Sequence, residues 1–360
     1  MVSEDFKIRS KFRDAIAYVL QPPVRSNFLI INRTSDYLAN LAEDAAKDLE
    51  LKTTVFSLDV NHEGPYLEGF PEKLKKEIAS KKYPRAVGFF TYPEGTDWGQ
   101  KETPARVELI HGTIKKTPIG YMHAPGIEPD MVLNGAGRVD FQEMARNAEK
   151  MLNLLDDVRS IKVTAPAGTD IEVGIPSELI WETDCKIVPP DPYGDPGAMG
   201  NFIPGEVCIE RRKKVSVAGR EVEYPIKLIG NGTIVCDVCA DNIDKFVDPT
   251  KPIRISVKDG VVKYFSSEDE TFQTLHEEWK QREKEYGLPT ILEEFGVGIN
   301  DKARKSKNLL ETEKMGGTIH IAAAHVNSHA DFIVSKPTVT VTYENLSKRT
   351  IMKDGTLMLD

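Results

Sequence analysis

The sequence predicts an α/β fold in two parts, an N-terminal Rossmann-like α/β domain followed by a β-rich α+β domain. Three observations predict it. The first 150 residues alternate amphipathic helical stripes with short apolar runs, short β-rich segments dominate from Ser160 onward, and the later segments are punctuated by Asp-Gly pairs. At 360 residues the chain exceeds the size at which one core stops growing. The predicted domains are residues 1–157, a scaffold, and 158–360, a metal-binding domain.

Ile8, Phe12, Ala15, Ile16 and Val19 form the first helical stripe. The run Phe28 to Ile31 reads as a buried strand, and Ser35 as the N-cap of a helix that turns Leu38, Leu41, Ala42, Ala45 and Leu49 inward. The strand TTVFSLDV, a short helix around Leu74 and Ile78, the strand RAVGFFTY and another near PIGYMHAP complete a mostly parallel sheet. The outline invites a nucleotide reading, but no G-x-G-x-x-G follows the first strand and no G-x-x-x-x-G-K-[ST] occurs. Gly135/Gly137, Gly230/Gly232 and Gly296/Gly298 lack a third glycine and a following helix, so they read as turn or strand geometry.

A helix from about Phe141 to Asp156 leads into the second domain. There RSIKVTAPAGTDIEVGI and YPIKLIGNGTIVCDV read as strands, and Asp259-Gly260 and Asp354-Gly355 as hairpin turns. One helix interrupts them: it starts after Ser267, buries Phe272, Leu275 and Trp279, and ends at Gly287 with Pro289 beyond. His276 on that helix reads as structural.

A net charge of −9 and a pI near 5.5 argue against nucleic acid as a partner. The one short basic cluster, Arg211 to Lys214, reads as a solvated turn between strands. The N-terminal residues carry acids ahead of any apolar stretch, unlike a signal peptide, and no apolar run reaches the roughly 20 residues that span a bilayer. A soluble, cytoplasmic protein is expected. Cys236 and Cys239 form a C-x-x-C with no second pair and no thioredoxin-like helix after it, so buried free thiols are expected.

The chemistry is concentrated near the C-terminus, where His320, His325, His329 and Asp331 fall within twelve residues. His329 and Asp331 are two apart, so on a strand both leave the same face. His320 lies in a β-branched segment behind two glycines. Glu294 stands in an apparent buried strand, where a carboxylate is costly unless neutralised, and Glu206 begins an apolar strand after Pro204-Gly205. Taken singly, His320 reads first as a hydrogen-bonded core histidine, Glu206 and Glu294 as strand-end carboxylates and Asp331 as a turn cap. Together they favour a metal centre. Imidazole and oxygen donors without cysteine fit catalytic zinc, manganese, cobalt or iron.

GNFIPGEV, EEFGVGIN, EKMGGTIHIA and SHADFI, with PAGTDIEV upstream, resemble the aminopeptidase T family of metallopeptidases over residues 160–335. The resemblance implies two divalent ions, zinc foremost, held by Glu206, Glu294, His320, His329 and Asp331. It also implies a peptide substrate cut at its first bond and a homodimer. Glu293 is expected to face away from Glu294 and take no part. The sequence departs from the family in one respect: only eight residues separate His320 from His329, where the family has a long, tyrosine-bearing segment. His325 is the candidate to fill part of that catalytic role. A related fold, that of 2,5-dihydroxypyridine dioxygenase, keeps a second reading open, with a non-haem iron on His320, His329 and Asp331. A non-catalytic metal-binding protein is the third.

Overall fold

The computed structural model describes residues 3–33, 36–57, 72–79, 83–90, 110–240, 245–306, 308–326 and 328–359. Two compact units divide the chain: Met1–Arg146 with Thr183–Pro204, and Asn147–Glu182 with Gly205–Asp360.

The first unit is built on a five-stranded parallel sheet in the order Lys52–Ser57, Asn27–Arg33, Arg85–Phe90, Gly120–Pro125, Ala198–Asn201. Phe28 to Ile31 are all fully buried, as expected for a strand covered on both faces. On one side Leu29, Ile31, Tyr121, Leu74 and Ile78 share a core cluster. Elsewhere Phe12 of the first helix, Glu4–Ala15, meets the rings of Phe89 and Phe202 at 5.5 and 5.2 Å. Ser3 caps that helix by accepting from the Phe6 N–H. The fifth strand, Ala198–Asn201, was not among the predicted elements. Ser35 and the last residues of TTVFSLDV and RAVGFFTY lie outside the described residues.

The second unit is dominated by an antiparallel sheet. Ile291–Gly298 and Thr318–His325 pair in its interior and are buried along their whole lengths. Ser328–Ser335 flanks the second of them, and Glu206–Ile209 adds to the first. Helix Glu270–Tyr286 rests on one face, where Trp279 and Phe265 each lie 6.1 Å from the Phe332 ring. Gly287 ends the helix at φ +65°, a left-handed C-cap. Both Asp-Gly turns form, with Asp259, Gly260, Asp354 and Gly355 at positive φ.

One reading is corrected. Arg212 to Lys214 belong to strand Arg212–Val217 rather than to a turn, and the Arg212 guanidinium pairs with the buried Glu293. Cys236 and Cys239 are buried thiols rather than a disulfide. His276 stacks on Phe265 at 5.5 Å. Among the described residues no helix is long and apolar enough to cross a membrane.

Candidate metal centre

Glu206, Glu294, His320, His329 and Asp331 come together in the second unit, and the sheet register explains how. Asp331 stands opposite Ala322, and His329 opposite Ala324. Both therefore share a face with His320, because side chains alternate along strands. The alanine methyls leave room beside the larger groups. On the neighbouring strand Gly296 is the partner of His320. A Cβ on Gly296 would lie 1.9 Å from His320 Nε2, so the imidazole occupies space that any other residue would need. Glu294 lies two residues before Gly296, and Glu206 pairs with Gly298.

Glu294 faces both histidines: its Oε1 lies 3.0 Å from His320 Nε2 and its Oε2 lies 3.5 Å from His329 Nε2. Glu206 Oε2 is 3.4 Å from His320 Nε2, and Asp331 Oδ2 is 3.0 Å from His329 Nε2. Two groups that could hold a metal ion result, Glu206 with Glu294 and His320, and Glu294 with His329 and Asp331. Donor atoms roughly 2.0–2.2 Å from one tetrahedral ion sit about 3.3–3.6 Å from each other; two of the imidazole-to-carboxylate separations, 3.4 and 3.5 Å, fall in that range and two, at 3.0 Å, lie just under it. Asp331 Oδ1 is buried without a hydrogen-bond partner, a cost that a bound cation would remove.

The electrostatics also call for positive charge. Burial opposes a charged His320, yet the hydrogen bond and charge of Glu294, with Asp331 and Glu206 behind them, push its pKa up to about 10. His329 is likewise raised: burial opposes its charge, while Asp331 and Glu293 more than compensate. Asp331 is held down at about 2, since His329, His320 and Lys314 outweigh its burial. Without an ion, the imidazoles hold protons where an ion would supply the charge.

Four residues that the sequence did not place in the site surround these candidate ligands. Lys314, fully buried, donates to Glu206 Oε1 and to Glu313 Oε1, the latter at 2.8 Å. Glu206 thus gives one oxygen to a lysine and the other to the His320 side. Glu293, expected to face away, lies 2.7 Å from His329 Nδ1 through its Oε2. The cause is a β-bulge: Leu292 pairs with Ala323 and Glu294 with Ala322, so Glu293 is the extra residue and alternation fails there. Arg212 and the exposed Glu210 complete this side, Glu210 having a ligand atom within 4.8 Å of Glu293 and His329. Desolvation, then the charges of Glu294 and Glu293, push Glu210 up to about 8.

His325 is not brought in with the others. Its side chain leaves the opposite face of the strand from His320, with Nδ1 accepting from the Val326 N–H and Nε2 2.8 Å from the Leu288 carbonyl oxygen. Tyr224 and Tyr286 pack on its ring at 6.0 and 5.8 Å.

No family model matches the chain, and no curated protein matches it in sequence. Among solved structures it is similar to AmpT from Thermus thermophilus, with a TM-score of 0.69 and 12% identity over 99% of this chain and 100% of that one. It is also similar to 2,5-dihydroxypyridine dioxygenase from Pseudomonas putida, with a TM-score of 0.63 and 13% identity over 99% of this chain and 98% of that one. These likenesses establish a shared fold and a distant structural relationship to aminopeptidase T. The same fold carries two different activities.

Proposed function

We propose that this chain is a metal-dependent aminopeptidase, with two divalent ions, zinc foremost, in the triads joined by Glu294. The observation that carries this reading is the posture of Glu294, whose two oxygens face two different imidazoles. A carboxylate so placed serves two adjacent positions. Bound ions would supply Lewis-acid polarisation of a carbonyl and a water of lowered pKa. The chain's own groups set the rest. Lys314 occupies one Glu206 oxygen and leaves the other for the centre. Asp331 and Glu294 bracket His329 Nε2, and Ala322 and Ala324 keep the face open. The reading carries with it a peptide with a free α-amine as substrate, and a homodimer.

Elemental analysis of the purified protein, paired with an aminoacyl and dipeptide panel, tests it. Two zinc-like ions per chain and release of N-terminal residues are expected. Glu294→Ala should lose both the ions and the turnover. Turnover retained in that variant removes the mechanism. The fold likeness to the dioxygenase favours a second reading, one iron on His320, His329 and Asp331. That reading leaves Glu206 and Glu294 without a task. One iron per chain and oxygen consumption with a dihydroxylated aromatic would establish it instead. Bound metal with no turnover in either assay would mark a non-catalytic protein.

A further inference from the structure

We infer that Glu293, braced by Arg212, is a positioning residue that grips His329 by Nδ1 and so turns Nε2 toward Glu294 and Asp331; this rests on the metal-centre reading above. An imidazole can bind an ion through either nitrogen, and the hydrogen bond made by the other nitrogen decides which. Here Nδ1 lies 2.7 Å from Glu293 Oε2, while Nε2 lies 3.0 Å from Asp331 Oδ2 and 3.5 Å from Glu294 Oε2. A carboxylate beside Nδ1 takes the N–H and leaves the Nε2 lone pair for the ion.

The carboxylate is itself held fast. Glu293 is fully buried, with Arg212 Nε 2.6 Å from its Oε1 and Arg212 Nη2 donating to its Oε2 at 2.9 Å. Oε1 has no hydrogen bond of its own, so the ion pair and the single Nη2 hydrogen bond to Oε2 are what hold the carboxylate in position. The same guanidinium donates to the Ser328 carbonyl at 3.3 Å and reaches the His325 carbonyl at 3.5 Å. Those residues flank the short turn just before His329. One cation therefore ties the ligand's strand, the turn and the bulged carboxylate into a single unit. Glu293 also falls within reach of an ion shared with Glu210 and His329. Its Oε2 already accepts from Arg212 and faces His329, however, and the Arg212 guanidinium stands 2.6 Å from Oε1, where an ion would have to displace it. Orienting the histidine is the role that the geometry supports.

The test is Co2+ titration of the full-length protein, read by visible absorption and by competition with a chelating dye. Glu293→Gln should weaken uptake about 10–100-fold and shift the absorption bands, because the ring is no longer fixed. In a His329→Ala background the same substitution should change affinity no further, since its effect passes through that ring. Should Glu293→Gln leave Arg212 poorly accommodated, the Glu293→Gln/Arg212→Met double variant removes both charges. It should melt near the parent temperature and still bind Co2+ weakly. Wild-type affinity in Glu293→Gln, wild-type affinity in the folded double variant, or an additive loss in the His329→Ala background overturns the proposal alone. A wild-type protein that takes up no Co2+ overturns the centre and the proposal with it.

Discussion

The two histidines of the centre are held by opposite means. His320 sits in the middle of two fully buried strands, opposite a glycine, and its Nδ1 has no hydrogen-bond partner. Room holds it in place. His329 lies on the flanking strand, partly exposed, and is gripped through both nitrogens by Glu293 and Asp331. Charge holds it in place. A ligand can thus be fixed by removing a neighbouring side chain or by adding two, and the two solutions should fail under different insults.

The largest difference is expected from Lys314→Met. It takes a buried cation from between Glu206 and Glu313 and should cost the metal-free protein about 3–5 kcal/mol, with the loss confined to the His320 side. Thermal melts with and without added Zn2+ would measure this, and an unchanged metal-free melting temperature would break the comparison. Next comes pH. The folded pKa of His320 is raised to about 10 from an ordinary value near 6.5. Its stabilising contribution is therefore complete below about 6.5 and lost as pH rises toward 10. His329 acts in the same direction. In the metal-free protein His320 should remove up to about 1.4 kcal/mol per pH unit across that window, and His329 adds a decline of the same sign. Bound ions should flatten the decline, and melts between pH 5 and 9 with EDTA or Zn2+ would show it. Metal-free stability that stays level above pH 6.5 would contradict the charge assignment.

Gly296→Ala sharpens the contrast from the other side. Its Cβ would fall on the His320 ring, so a cost of about 1–3 kcal/mol is expected, with Co2+ uptake dropping from two ions to one. Equal loss at both positions would mean that room is not what distinguishes His320. The smallest effect is expected from His325→Ala, which frees the Val326 N–H and the Leu288 carbonyl. It should cost about 1–2 kcal/mol and leave metal content unchanged; a drop in metal content would return His325 to the centre.

What lay along one strand was legible in the sequence: His329 and Asp331 share a face through the period of two. What lay across strands was not: Gly296, which makes room for His320, read only as turn or strand geometry. Glu293 reaches His329 only because one residue is skipped in the pairing of Ile291–Gly298 with Thr318–His325, and a bulge leaves no mark in the letters EEF. Arg212 looked like surface because its acid lies 81 residues away in sequence. The fold divides similarly. Apolar runs and Asp-Gly pairs marked strands and turns, whereas Ala198–Asn201 is too short and too glycine-rich to declare that it joins the parallel sheet.

Glu294 and His320 lie on the two strands that are buried from end to end. Amides in such central strands exchange with solvent only when the whole unit comes apart. Heating should therefore fray the peripheral hairpins first, and a partly melted chain would still present Glu294 and His320 on backbone in its native spacing.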